Sequence, residues 1–273
     1  MFKFLFILFS FCLSEAFCLE IGSEYTRIST SYVEGQLKFR TARDQYVMQM
    51  DPLPSRQGLD QLAVSGSGQF SEQNLKDIIS VIPTTHIVLL DVRQENHGFI
   101  DGIPVAFALK EENTEYYYNQ GKSTEQIEKE ESEWIKSLAA AKNIIAYDYT
   151  QTAIQLPVNL AETERELAKR LGLEYLRFTV TDNHHPSDQE VVRFVEIVKN
   201  LPKNSWLHVH CAGGYGRTTT FMILFDMMFN AQSLSAKEII NRQYLLGGQN
   251  LYKISTSPSN PGYWKSQAAQ ERL

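Results

Sequence analysis

The chain has 273 residues, 43% hydrophobic and 21% charged, with a formal net charge of −6. That length holds one sizeable core with a small appended unit, and the apolar fraction excludes a disordered chain. The acidic balance, with no basic run, excludes a nucleic-acid coat protein, and three cysteines exclude a disulfide framework.

At the N-terminus Lys3 precedes an apolar run from Phe4 to Leu13, followed by small residues at Ser14, Ala16 and Cys18. A bilayer core needs about 20 apolar residues, so this run predicts a cleavable secretory signal over residues 1–18, not a membrane span. The mature domain is then 19–273, exported to the periplasm or beyond and bacterial, with Cys211 as its one cysteine. Lys3 and Glu15 cancel, so the mature charge stays at −6.

Residues 19–60 read as polar and irregular, broken by Asp51-Pro52-Leu53-Pro54. A helix is predicted over about Ser71–Val81. His86–Asp91 is a nearly continuous apolar run, the pattern of a strand buried on both faces, and Ile103–Leu109 is a second strand. Ser123-Thr-Glu-Gln126 is a capping box opening a helix with Ile127, Trp134 and Leu138 on one face. A strand at Asn143–Tyr149, a helix at Glu162–Leu171 ended by Gly172, and a strand at Glu174–Val180 follow. Ser187-x-x-Glu190 caps a helix to about Lys199, and Ser205–His210 is a strand. A helix from near Tyr215 to about Phe229 comes next, and Ser235-x-x-Glu238 caps a last helix ended by Gly247-Gly248. Strands alternating with helices over 85–230 predict an α/β fold with a mostly parallel sheet covered on both faces.

The run His210-Cys211-Ala212-Gly213-Gly214-Tyr215-Gly216-Arg217-Thr218 falls between a predicted strand and a predicted helix. It would lie at a carboxyl edge of the sheet, where open α/β folds bind ligands. The helix's leading N–H groups and dipole favour an anion there, whether a phosphate or the Cys211 thiolate. Gly213, Gly214 and Gly216 let backbone N–H groups turn inward, and Arg217 offers a planar fork for two phosphate oxygens. His, Cys, Gly and Arg in this spacing arise by chance with odds on the order of 10⁻⁴ over such a chain, which favours a catalytic loop over a buried structural Cys.

A cysteinyl-phosphate route needs a proton donor for the departing oxygen. The segment Thr181-Asp182-Asn183-His184-His185-Pro186 leaves a strand beside the loop, and Asp182 is the expected general acid, with His184 and His185 as alternatives. His210 is expected to anchor the loop through its ring, and Thr218 to donate a hydrogen bond to the sulfur. No His/Cys/Asp cluster has metal-ligand spacing in the sequence, so no metal or other cofactor is expected.

Together these strings resemble the bacterial protein-tyrosine-phosphatase-like inositol polyphosphatases, the cysteine phytases. The loop resembles that family's H-C-x5-R-T-T signature, and Asp182-x3-Pro186 its acid loop. Lys38-Phe-Arg40-Thr41 is similar to its F-R-T element, and Asp91-Val-Arg93-Gln-Glu95-Asn-His97-Gly98 to its D-x-R-Q-E-x-H-G stretch. Gly121-Lys122-Ser123 and Tyr244–Gly248 are weaker matches, and the resemblance spans about residues 38–250. It implies a phosphatase core of α/β class with a small β-rich subdomain, drawn from segments within about 30–60 and 92–122. It also implies that Arg40, Asp91 and Lys122 line the pocket beside the loop residues Ala212 to Gly216, with Lys253 or Lys265 adding charge. The implied partner is a small polyphosphorylated inositol, with no nucleic acid and no membrane span. Departures at Ala212, Asn183 and His185 bear on substrate preference. The alternatives are a phosphotyrosine or phosphoinositide phosphatase, a phosphate-binding module without turnover, and arsenate reduction, which normally wants extra resolving cysteines.

Overall fold

The computed structural model describes residues 24–29, 37–109, 118–148 and 150–253. The predicted signal segment and Lys265 lie outside them. In chain order the strands and helices are β1 (Glu24–Ile28), β2 (Arg40–Thr41), β3 (Val64–Ser67), α1 (Glu72–Val81), β4 (Ile87–Asp91), β5 (His97–Ile100), β6 (Ile103–Leu109), α2 (Thr124–Ala140), β7 (Asn143–Tyr147), β8 (Ala153–Pro157), β9 (Ala161–Glu162), α3 (Glu164–Arg170), β10 (Glu174–Arg177), α4 (Asp188–Asn200), β11 (Trp206–His210), α5 (Gly216–Asn230) and α6 (Ala236–Leu245).

Two sheets organise them. One has the order β10-β4-β11-β3-β2, with β10, β4, β11 and β3 parallel and β2 antiparallel at the edge. Every residue of β4 and β11 is buried, as the apolar run in β4 predicted. On one side of this sheet Phe178, Phe194 and Phe221 pack edge to face beneath Val88, Leu90 and Val209. On the other, Phe70, Leu75, Ile78 and Leu89 form a second cluster.

The other sheet has the order β8-β7-β1-β6-β5-β9 and is antiparallel except for β1 beside β7. The mostly parallel core sheet and the separate β-rich unit expected beside it are thus both present, with the strands of 85–230 shared between them. The reason is local: Asp101 and Gly102 take positive φ values of 48° and 79°, making a two-residue reversal that pairs Ile100 with Ile103. This hairpin and the alternately exposed β7 turn away from the parallel layer, and Ile135 and Leu138 of α2 close the smaller core. Among the described residues, 37–60 give that sheet no strand; Arg40 and Thr41 pair with Gly66 and Ser65 of β3.

Among the described residues, five of the six α-helices begin with a reciprocal capping box, at Ser71, Ser123, Thr163, Ser187 and Ser235. Each satisfies N–H groups that would otherwise lack partners. Helix α5 is the exception. It starts at Tyr215 with no side-chain cap, leaving its first N–H groups open to a ligand.

Candidate active site

Strand register sets the site. His210 lies level with Ser67 of β3 and Asp91 of β4, and Asp91 is level with Arg177 of β10. Four parallel strands thus end at one height, and the segments leaving them surround Cys211. The loop is fixed from below by Val92 N–H donating to the His210 carbonyl at 3.0 Å and Gln69 N–H donating to the Ala212 carbonyl at 2.9 Å. Gly214 has φ 71°, and a Cβ there would stand 2.5 Å from the backbone nitrogen of Gly68. Only glycine fits that position.

Cys211 is buried, and the Thr218 hydroxyl oxygen lies 3.2 Å both from its Sγ and from the Ser67 carbonyl. The single hydroxyl proton can serve either acceptor, and a thiolate would compete for it strongly. At the far end of the loop the Arg217 guanidinium meets both oxygens of Glu95 at 2.7 and 2.8 Å and the Val180 carbonyl at 3.0 Å. Burial opposes the charge on Arg217, but Glu95 and Asp182 hold its pKa well above the usual range. Burial would raise Glu95, yet Arg217 and Arg93 hold it well below the ordinary carboxylate value.

Asp182 Oδ1 is 3.1 Å from Arg217 Nη2, so the predicted acid loop and the loop's cation are adjacent. Asn183, at φ 62°, donates its amide to Asp182 Oδ2 at 2.8 Å, and the His184 ring nitrogen sits 2.9 Å from the Asp182 carbonyl. His185 is turned toward the Pro186 carbonyl instead. Thr181 donates to Gln94 at 2.9 Å, tying this loop to the segment that carries Glu95.

Other expected pocket residues lie elsewhere than anticipated. Asp91 does not line the pocket: it is wholly buried one layer down, accepting from the Tyr175 hydroxyl and the Arg93 N–H and paired with Arg177 and His97. Strand register forces this, because Asp91 ends a strand in the middle of the sheet. Burial would raise its carboxyl, but His97 and Arg177 hold it far below the usual range. Arg40 is also buried, and spends its donors on the Gly214 carbonyl at 2.9 Å, Thr219 Oγ1 at 3.0 Å and the Lys38 carbonyl at 3.2 Å. Burial lowers its pKa to about 10, with Cys211 and Tyr215 opposing. It braces the loop from behind. Lys122 pairs with Glu130 at 2.6 Å and sits over the Tyr118 ring. His210 is wholly buried with Nε2 2.5 Å from Glu164 Oε1 and its ring against Phe70.

Sequence reasoning found neither Glu95 as the partner of Arg217 nor Glu164 as the partner of His210. The DxRQE string contained Glu95, but nothing local reveals which cation it meets. Asp91, Glu164 and His210 also bring ligand atoms within 4.8 Å of one another, a grouping able to hold a metal ion that linear spacing missed. Both carboxylates there already face cationic partners in Arg177 and His97.

The sequence profile of the PTP-like phytase family, described by the words inositol hexakisphosphate, matches residues 90–229, just over half the chain. The PTP-like myo-inositol phosphatase of Mitsuokella multacida, solved with myo-inositol-(1,3,4,5)-tetrakisphosphate, is 31% identical, with a TM-score of 0.82 over 92% of this chain and 44% of that one. A PTP-like phytase from Bdellovibrio bacteriovorus is 28% identical, with a TM-score of 0.68 over 91% of this chain and 84% of that one. Among curated proteins, the effector protein hopD2 of Pseudomonas syringae pv. tomato is 31% identical over 68% of this chain and 41% of its own length. The chain thus spans less than half of the Mitsuokella and Pseudomonas proteins.

Proposed function

Because this chain belongs to the PTP-like phytase family, we propose that it is a phosphomonoesterase of inositol polyphosphates that works through a cysteinyl-phosphate, without a metal. The observation that carries the reading is Cys211 at the mouth of the uncapped helix α5, with the Thr218 hydroxyl 3.2 Å from its sulfur. In the first step Cys211 Sγ attacks phosphorus, the P–O ester bond breaks, and Asp182 gives its proton to the departing alcohol oxygen. Arg217 and the N–H groups of Ala212 to Gly216 hold the three remaining oxygens. In the second step water attacks phosphorus, Asp182 takes its proton, and sulfur leaves as a thiolate stabilised by Thr218. The phosphate would take up the Arg217 face that Asp182 now occupies, turning the acid toward the leaving oxygen. His210, held by Glu164, anchors the loop and does not react.

Comparing wild type, Cys211→Ser and Asp182→Asn on inositol hexakisphosphate and p-nitrophenyl phosphate, with and without EDTA, tests this. Cys211→Ser should lose on the order of 10⁴-fold or more. Asp182→Asn should lose about 10²–10⁴-fold in the rate of hexakisphosphate cleavage, whose leaving group needs the proton. EDTA should change nothing. Normal turnover by Cys211→Ser would end the covalent reading.

In a second reading the same loop serves a phosphotyrosyl protein, in keeping with the protein-tyrosine-phosphatase-like naming of the related phytase from Mitsuokella multacida. A large preference for a phosphotyrosyl peptide would replace the first reading with this one. Export of the mature chain is proposed from the apolar run at residues 4–13 alone.

A further inference from the structure

An inositol hexakisphosphate carries roughly −9 to −12 charges, since each monoester contributes about −1.5 to −2. Arg217, already engaged with Glu95, handles the phosphoryl group under attack. Two of the cations expected to meet the others are otherwise committed: Arg40 is buried behind the loop and Lys122 is paired with Glu130. Lys38 differs. Its ammonium lies 4.4 Å from the centroid of the Tyr215 ring, and no carboxylate pairs with it among the described residues.

Its position is built rather than incidental. Tyr215 belongs to the active loop, is 44% exposed, and lays its ring edge against Gly213, where an added Cβ would stand 3.5 Å from Cδ2. Lys38 holds φ 52°, a left-handed conformation uncommon outside glycine and costly for a long side chain. The buried Arg40 fork grips the Lys38 carbonyl and the Gly214 carbonyl together through Nη1. One guanidinium therefore fixes the backbone beneath both members of the Lys38–Tyr215 pair. A half-buried ammonium resting on an aromatic face keeps its N–H donors free for an anion at the edge of the loop.

We propose that Lys38, seated on Tyr215, is the subsite for a second phosphate of the substrate while Arg217 holds the first. This rests on the inositol polyphosphate reading above. A substrate with one phosphate gains little from it, so Lys38 acts as a specificity determinant.

Lys38→Asn removes the charge with a residue that tolerates the left-handed backbone, and Lys38→Arg keeps the charge. Both would be assayed in the full chain on inositol hexakisphosphate and on p-nitrophenyl phosphate. Lys38→Asn should lower kcat/KM on the hexakisphosphate about tenfold more than on the aryl phosphate, mainly through KM, as loss of a charge-assisted contact predicts. Lys38→Arg should restore most of that difference. Equal losses on both substrates, with wild type turning over the hexakisphosphate, would overturn the subsite and leave the function standing. A wild type active on the aryl phosphate but not on the hexakisphosphate would overturn the inositol reading, and the subsite with it.

Discussion

Two buried ionic groups bear on helix α5, one beneath its first turn and one toward its C-terminal end, and they are finished to different degrees. At the far end Asp226 receives Arg242 Nε at 2.7 Å, Gln243 at 2.9 Å and Asn230 at 3.0 Å, while Arg242 also donates to the Ser55 and Gln57 carbonyls. Gln243 Oε1 is the one side-chain atom of this group left without a hydrogen bond. Beneath the active loop, Asp91, Glu95, Glu131 and Glu164 face Arg93, Arg177, Arg217 and His97. There His97 Nε2, Glu164 Oε1, Arg217 Nε and both ring nitrogens of His210 lack directed hydrogen bonds. The closed group pins α6 and residues 55–57 to α5. The open one keeps several buried polar atoms without directed hydrogen bonds beneath the loop, and each of them costs free energy.

If that contrast is right, breaking each group should damage a different property. Asp226→Ala leaves Arg242 buried without its carboxylate and should cost about 3–5 kcal/mol of stability, with turnover per folded molecule retained. Denaturant melts beside active-site titration read this, and a catalytic defect without a stability loss would reverse the assignment.

His97 sharpens the comparison through pH. Burial and Arg93 oppose its charge, but Asp91 and Glu131 overcome them and raise its pKa to about 9. A raised value means the stabilisation is complete below about pH 6.5 and lost as pH climbs through about 9, by up to about 3 kcal/mol. His97→Gln should flatten that slope, and parallel stability profiles for the two proteins between pH 6.5 and 9 would refute it.

Glu95→Gln should show the smallest effect and the most specific. It keeps the shape of the Arg217 contact while weakening the charge that orients it. We expect kcat/KM to fall about 10–100-fold with little change in melting temperature. A variant that unfolds yet keeps normal turnover while folded would place Glu95 with Asp226 as a support.

The chemistry was legible where it is contiguous. Cys211 through Thr218 and Asp182 through Pro186 are short strings, and their geometry follows from the strand before each and the helix after it. Capping boxes at Ser123, Ser187 and Ser235 were readable for the same reason. The partners of these groups were not. Glu95 and Arg217 are 122 residues apart, and Arg40 reaches Gly214 across 174, so register across the sheet decides them. Asp91 shows the same limit: the family resemblance implied a pocket wall, whereas the end of a central strand buries it. The two-residue strands β2 and β9 carry no periodicity to detect, and β1 is held by pairing with β6 and β7. The Asp101-Gly102 reversal was present in the chain and would have revealed the second sheet.

The contact between Gly214 and the Gly68 backbone has a consequence for anyone wishing to alter this protein. Because main chain abuts main chain there, the cradle and the end of β3 form a single inflexible piece. Libraries that vary Gly214 should return no functional clones. Retargeting to differently shaped phosphate esters has to come from the surrounding walls, namely the Asp182 segment and the Lys38 turn.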